Sequence, residues 1–275
     1  MKIAYQGIPG SYSESCAKTN YPDCETISCK TFDECFELAN TDDNIKTIIP
    51  ESNKTTGNIG IEYLIFKFRL NIYAEHFFKI SHNLLGLNES KISDITDVYS
   101  HAQALSQSSK FIKKNKFAEH VRADTAGSAK FVSEIKDKTK AAISSSLSAE
   151  IYNMKILAKN IQDNKENFTR FLLMGKDISQ PENKNKSYIT SFLFKLKSKP
   201  AALYSALQGM AINGVNMIKL QSFPEKNSFS SYFFLCEVEG HIDDQKIRNS
   251  LEDLNYHCED MSVLGVFEAD KLRNK

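Results

Sequence analysis

The stretch Asn167-Phe168-Thr169-Arg170-Phe171-Leu172-Leu173-Met174 puts a polar pair at the entrance of an otherwise apolar run. The run reads as a strand over Arg170–Met174. Side chains alternate along a regular strand, so Thr169 and Arg170 point to opposite faces. Taken alone, the pair fits a threonine of good β propensity beside a solvated arginine. The basic residues are nearly all lysine, and arginine stands only at Arg69, Arg122, Arg170, Arg248 and Arg273. Only guanidinium offers a planar fork to a carboxylate, which marks Arg170 as a position to follow.

Upstream of this strand, short apolar strands alternate with helical patterns. Strands are expected at Lys2–Tyr5, Thr26–Cys29, Thr47–Ile49 (stopped by Pro50), Ile72–Ile80 and Ala141–Ile143. Helices are expected at Ser11–Lys18, from the Thr31-Phe32-Asp33-Glu34 capping box to about Ala39, and at Ile59–Phe68, Gln103–Lys114, Thr125–Ile135 and Ser148–Ala158. This alternation implies an α/β sheet with helices on both faces. The segment Gly175–Ser187 breaks the rhythm with polar residues and reads as a linker or exposed loop. Downstream come a strand at Thr190–Leu196 and a helix from Pro200 to about Ile212, ending at Asn213-Gly214. Strands at Val215–Leu220 and Tyr232–Val238, a helix at Asp243–Leu254 and a strand at Val263–Phe267 complete a β-α-β-β-α-β order, the split βαβ sandwich.

The 275 residues suit two domains or one large one, and 41% apolar with 25% charged residues is ordinary for a folded chain. Lys+Arg of 35 against Asp+Glu of 34 gives a net charge of +1, which argues against a protein committed to nucleic acid. The lysine-rich Lys110–Lys116 reads as the solvated end of a helix. No apolar run reaches the roughly 18–20 residues that span a bilayer, and the N-terminus lacks a signal-peptide core, so a cytoplasmic, membrane-free protein is expected. The six cysteines form no C-x-x-C pair and read as free thiols. The six histidines show no H-x-x-x-H spacing, which disfavours zinc.

Hydroxyls and glycine gather at the expected strand-to-helix junctions Gly10-Ser11-Tyr12-Ser13, Ser100-His101, Thr125-Ala126-Gly127-Ser128 and Ser144-Ser145-Ser146. Helix starts carry unpaired N–H groups and hold anions, and α/β sheets bind ligands beyond the carboxyl ends of their strands. Each junction alone reads as a helix cap, and only the set together offers a site for a small, multiply anionic ligand. None is a phosphate-binding loop of nucleotide type.

Taken in order, these segments resemble the prephenate dehydratase family with its C-terminal ACT regulatory domain. Ala4-Tyr5-Gln6-Gly7-Ile8-Pro9-Gly10-Ser11-Tyr12-Ser13 is similar to the family's opening loop. Ser100-His101-Ala102-Gln103 resembles its Ser-His-Pro-Gln segment, with Ala102 in place of proline. Asp124-Thr125-Ala126-Gly127 matches its Asp-Thr-Ala-Gly helix start, and Ala149–Tyr152 with Asn160–Asp163 matches the approach to Thr169-Arg170-Phe171. The resemblance implies a two-lobed, periplasmic-binding-protein-like (type II) α/β catalytic domain at 1–176, a linker at 177–187 and an α+β ferredoxin-like ACT domain at 188–275. It implies decarboxylating dehydration of prephenate to phenylpyruvate in phenylalanine biosynthesis, without metal or organic cofactor.

Carried over by position, Thr169 is the expected donor to the leaving hydroxyl, Arg170 supports the cleft or a substrate carboxylate, and Asn53, Ser100 and Gln107 are further catalytic positions. Ser11, Ser13, Thr125, Ser128 and Phe171 are expected to bind substrate. Ala202, Leu203, Gln221 and Ser222 are the expected effector positions, with L-phenylalanine as effector, and a homodimer or tetramer is expected. Two regions depart from the family. Its Pro-Ile-Glu-Asn-Ser stretch reads Pro50-Glu51-Ser52-Asn53-Lys54, adding a lysine near the cleft. Its effector motifs read Pro200-Ala201-Ala202-Leu203 and Gln221-Ser222-Phe223-Pro224, where glycine, glutamate and arginine are usual, so weak or absent phenylalanine inhibition, or a different effector, is expected. Arogenate dehydration and a non-catalytic small-molecule sensor are the competing readings.

Overall fold

The computed structural model of the chain describes residues 1–184, 186–225 and 231–273. Asn185 of the expected linker, and residues 226–230, 274 and 275 of the expected C-terminal domain, lie outside the described residues.

The elements in chain order are β1 (Lys2–Gln6), α1 (Tyr12–Asn20), β2 (Glu25–Cys29), α2 (Phe32–Thr41), β3 (Ile45–Asn53), β4 (Gly57–Asn58), α3 (Glu62–Phe68) and β5 (Asn71–Lys79). Then follow β6 (Asn83–Gly86), β7 (Asp97–His101), α4 (Ala102–Gln107), α5 (Ser109–Asn115), β8 (Ala118–Arg122), α6 (Thr125–Ile135), β9 (Lys140–Ser144), α7 (Ser146–Ile151), β10 (Lys155–Ala158) and β11 (Phe168–Gly175). The chain closes with β12 (Tyr188–Leu196), α8 (Ala202–Ile212), β13 (Met217–Pro224), β14 (Tyr232–Glu239), α9 (Gln245–Tyr256) and β15 (Cys258–Glu268). These strands make three sheets, ordered β2-β1-β3-β11-β5 (with β4 on β3), β10-β6-β9-β7-β8 and β13-β14-β12-β15.

By compactness the chain divides into one unit of residues 1–35, 48–59 and 76–171, and a second of residues 36–47, 60–75 and 172–275. In the first unit, β1 and β2 pair in parallel, as do β7 with β8 and β7 with β9, while β6 pairs antiparallel with β9 and with β10. Alternation along the strands sends neighbouring residues to opposite faces of the β6–β10 sheet. Leu84, Val98, Ala141 and Ile143 pack with Leu105 and Ile112 of α4 and α5. Leu85 and Ala142 pack with Ala129, Val132 and Ala149 of α6 and α7. Helices cover both faces, as the α/β pattern requires. In the second unit, β12–β15 are antiparallel throughout. Their core joins Phe192, Phe194, Cys236 and Val238 to Ala206 and Met210 of α8 and Ile247, Leu251 and Leu254 of α9. The βαββαβ order read from the sequence is present, in ferredoxin-like form.

Several boundaries differ from the sequence reading. Pro50 does not stop its strand: β3 runs on to Asn53, and Ser52 and Asn53 pair with Asn58 and Gly57 of β4. Proline removes one donor but its fixed φ is compatible with extended chain. The expected helix Ser148–Ala158 is a six-residue helix followed by a strand. Asn153 turns into the left-handed region at φ 50°, and Lys155–Ala158 pairs with β6. The expected helix Gln103–Lys114 is two helices meeting at Ser108. Strands β6 and β8 are too short and too mixed in polarity to register in the sequence pattern.

Candidate active site

The first unit encloses a cavity of about 770 Å³ lined from the opening loop, β3, the segment after β5, α4, the start of α6 and β11. Opening-loop geometry follows from Gly10. Its φ is +92°, and a Cβ there would come within 2.9 Å of the Ser148 main chain, so only glycine fits. Ser145 and Ser148 of the α7 region donate their hydroxyls to Gly10 O (2.6 and 2.8 Å), and the Tyr152 hydroxyl donates to Pro9 O (2.7 Å). The serine junction at 144–146 is therefore used to cap α7 and to hold the opening loop, not to present free donors to an anion. Ser11 caps α1 by accepting from Glu14 N and also lines the cavity, as does the adjacent Ser13.

At the floor, Asn53 of β3 meets Thr169 of β11. The main-chain N–H groups of Thr55 and Thr56 both donate to Asn53 Oδ1 (2.9 and 3.1 Å). Main-chain N–H groups cannot accept, so the oxygen side of the Asn53 amide is fixed toward them. Its Nδ2 then donates to Thr169 Oγ1 (2.8 Å) and Asn167 Oδ1 (2.9 Å). Thr169 Oγ1 is filled as an acceptor on that side and keeps its own hydrogen to give. Asn53 and Thr169 are 8% and 7% exposed, so these bonds sit away from bulk water, where they are strongest.

Of the sequence-predicted residues, Asn53, Gln107, Thr169, Ser11, Ser13, Thr125 and Phe171 line this cavity together. Arg170, Ser100 and Ser128 do not. Arg170 points the other way along β11 and is buried against Glu51, with Nη1 3.3 Å from Oε2. It braces β3 against β11 and does not line the cavity. Ser100 is fully buried and donates to Ile143 O (2.6 Å), tying β7 to β9. Ser128 donates back to Asp124 O (2.8 Å) inside α6. The helix start at Thr125 already has a carboxylate, since Asp124 accepts from Gly127 N. Lys54 is likewise drawn away: it pairs with Glu166 at 2.8 Å on the surface and does not line the cavity.

The sequence reading missed part of the wall. His82, Tyr12, His101, Gln103, Lys30 and Asp124 also line the cavity. Tyr12, His101, Gln103 and Asp124 stand in the quoted motifs without having been assigned to the site, whereas His82 and Lys30 lie outside those motifs. Burial lowers the His82 pKa and raises that of the Tyr12 phenol, so both act as neutral groups. Lys30 and Asp124 are the lysine and the carboxylate of the wall among the described residues. Hydroxyls, amides and the imidazoles of His82 and His101 make up the rest of its polar side chains. Such a wall holds a small anion by hydrogen bonds and offers a neutral donor to a departing oxygen. Among the described residues no three His, Cys, Asp or Glu side chains gather into a metal-binding group, and no helix is long and apolar enough to cross a membrane.

The effector positions lie in the second unit. Ala202 and Leu203 open α8 behind Ala201, which is in the left-handed region at φ 56°. Gln221 and Ser222 lie in β13. Gln221 Nε2 donates to Glu62 Oε1 of α3 (2.8 Å), and Phe223 packs near Phe66 of α3 and Phe233 of β14 (6.3 and 6.1 Å between ring centroids).

A two-lobed α/β unit with a cavity floored by a hydroxyl and an amide, followed by a βαββαβ module, places the chain among two-lobed small-molecule-binding α/β proteins with an appended ferredoxin-like module. Residues 3–179 match the sequence profile of the prephenate dehydratase family, and the chain belongs to that family. It is 34% identical to a prephenate dehydratase of Methanocaldococcus jannaschii, over 96% of this chain and 97% of that one. It is also 34% identical to arogenate dehydratase 2 of Petunia hybrida, over 98% of this chain and 72% of that one. A solved structure described as a novel type of quorum-quenching acylase is 32% identical, with a TM-score of 0.92, covering 99% of this chain and 100% of that one. The prephenate dehydratase of Arthrobacter aurescens in complex with L-Phe shares the fold at 22% identity, with a TM-score of 0.86, covering 98% and 90%.

Proposed function

We propose that this chain catalyses the decarboxylating dehydration of prephenate to phenylpyruvate as a carbon–oxygen lyase. The observation that carries the reading is the Asn53–Thr169 pair, whose polarity leaves the threonine O–H directed to a ligand in the cavity. In the reaction the ring carboxylate departs as carbon dioxide, its bonding pair enters the ring, and the C–O bond to the para hydroxyl breaks, the oxygen leaving with that bond's electron pair as hydroxide that takes its proton from solvent to become water. Aromatisation drives the step, so the protein need only orient the ring and stabilise the leaving oxygen. Thr169 O–H donates to that oxygen, and Asn53, bonded to the threonine oxygen, strengthens the donor. A threonine hydroxyl is a very weak acid, so Thr169 acts as a hydrogen-bond donor, not as a full proton source. Gln107, Ser11, Ser13 and Thr125 hold the carboxylates and Phe171 lies against the ring. Arg170 and Ser100 support the floor from behind, and Ser128 supports α6.

In this reading residues 1–176 form the catalytic domain, 177–187 a linker and 188–275 a regulatory ACT module that pairs with a second copy in a cytoplasmic homodimer or tetramer. L-phenylalanine is the natural effector to test, because the A. aurescens relative was solved with it. The altered residues at 201, 221 and 223 weaken that site here.

Arogenate is the second reading. It differs from prephenate by an ammonium in place of the side-chain keto group, and the Asp124 carboxylate on the cavity wall offers that ammonium a partner. The test is to give the purified protein each compound separately and resolve phenylpyruvate from phenylalanine by chromatography. Phenylpyruvate formed from prephenate with the higher kcat/KM supports the first reading. A higher kcat/KM on arogenate, or no turnover of prephenate, overturns it.

A further inference from the structure

His82 is buried, and its main chain is pinned from both sides: its N–H donates to Gln162 Oε1 (3.0 Å) and its carbonyl accepts from Ile161 N (2.9 Å). The ring cannot drift, and both of its nitrogens are engaged. Nε2 lies 2.8 Å from Gln107 Oε1, and Nδ1 lies 2.7 Å from the Tyr12 hydroxyl, which also lies 3.0 Å from Ser81 O.

The direction of each bond from Asn53 to His82 Nε2 follows from the two main-chain amides that fix Asn53. Asn53 Nδ2 donates to Asn167 Oδ1, so the NH2 of Asn167 is the group that faces Gln107 (3.0 Å). Gln107 must answer with its oxygen. An amide oxygen only accepts, so His82 must present a hydrogen on Nε2. The Gln107 amide then has no rotational choice left, and its NH2 is turned away from Asn167 and His82. That nitrogen is buried without a hydrogen-bond partner in the protein, on a residue that lines the cavity. A buried unpaired donor is costly unless a ligand satisfies it.

We propose that His82, held as the Nε2–H tautomer, is a positioning residue that locks the Gln107 amide with its NH2 toward the bound substrate. The inference rests on the assignment of this cavity as the dehydratase site, and it adds how one donor there is aimed. A flipped Gln107 would offer oxygen to an anionic substrate, an arrangement that repels where the locked one attracts. Burial, which lowers the His82 pKa, keeps the ring neutral and leaves Nδ1 open to the Tyr12 O–H.

Two measurements test this. In the ligand-free protein, 15N–1H correlation of the histidine side chains, assigned with His82→Gln, should show His82 with a protonated Nε2 and an unprotonated Nδ1. The opposite tautomer overturns the proposal, and this readout does not depend on activity. In turnover, His82→Leu should lower kcat by about tenfold or more with KM changed less than about threefold. His82→Gln, whose terminal NH2 falls near the imidazole Nε2, should recover most of that loss. Equal kcat in wild type and His82→Leu, or no recovery in a folded His82→Gln, overturns the proposal. If the wild type turns over neither prephenate nor arogenate, the functional reading fails instead, and the tautomer still decides the geometry.

Discussion

Asn53 Nδ2 donates to Thr169 Oγ1 across 2.8 Å, and the direction of that bond is dictated by the main-chain amides of Thr55 and Thr56. The turn between β3 and β4 thus sets which way a side-chain hydrogen points in β11. Asn53→Asp keeps an acceptor for the two amides but replaces the donor with a carboxylate oxygen. The Thr169 hydrogen would then turn toward the new carboxylate and away from the substrate. We expect kcat to fall by about a hundredfold or more, on the scale of losing one donor to developing charge. Steady-state kinetics beside a circular-dichroism check of folding decides it.

Glu51 and Arg170 are 3% and 5% exposed and face each other behind the same two strands. Removing one charge of a buried pair leaves the other less well compensated, at a cost of up to about 3–5 kcal/mol. Glu51→Gln should therefore lower the denaturation midpoint strongly. Thr169→Ala, which removes no charge, should move it much less. Urea unfolding of both variants makes the comparison, and equal midpoints would contradict the bracing role of Arg170.

Asp97 on β7 receives Lys140 from β9 and His120 from β8, each at 2.6 Å, and so clamps three adjacent strands. The hydrogen bonds from Lys140, Thr96 and His120 hold its carboxyl far below the usual range. A folded-state pKa depressed below the unfolded value of about 3.9 adds stability that is fully present above about pH 5 and is lost as pH falls toward the folded value. Asp97→Asn should melt below wild type at pH 7, and the gap should narrow at pH 3. A gap that is constant with pH would rule out the charge as its source.

Much of the fold was legible because its cause is local. Capping residues, apolar period and the β-α-β-β-α-β rhythm marked most helices and the C-terminal sheet. Where the sequence misled, a non-local pairing had won. Lys155–Ala158 has the composition of a helix end and becomes a strand because β6 offers it an edge. In the site, Thr169, Asn53 and Gln107 were readable by resemblance to a family. Resemblance grouped Arg170 with Thr169, whereas strand alternation already set them on opposite faces; that Ser100 is spent on Ile143 O of β9 was not legible, because that contact is distant in sequence. His82 escaped for the same reason: its role lies in bonds to Gln107 and Tyr12, far off in sequence.

The effector region carries its own expectation. Gln221 is bonded to Glu62, and Phe223 packs with Phe66, where a charged pair would be needed to hold a zwitterion. Ala201 holds a left-handed conformation that suits glycine. Calorimetric titration with L-phenylalanine should give weak heat or none, and tight binding would contradict this account of the altered motifs.

The most direct test of the central claim is phenylpyruvate formation from prephenate at neutral pH by the wild-type protein and by Thr169→Ala. The account predicts turnover in the wild type and a loss of about tenfold or more in the variant, with the fold intact by circular dichroism. Wild-type rates in Thr169→Ala would contradict it.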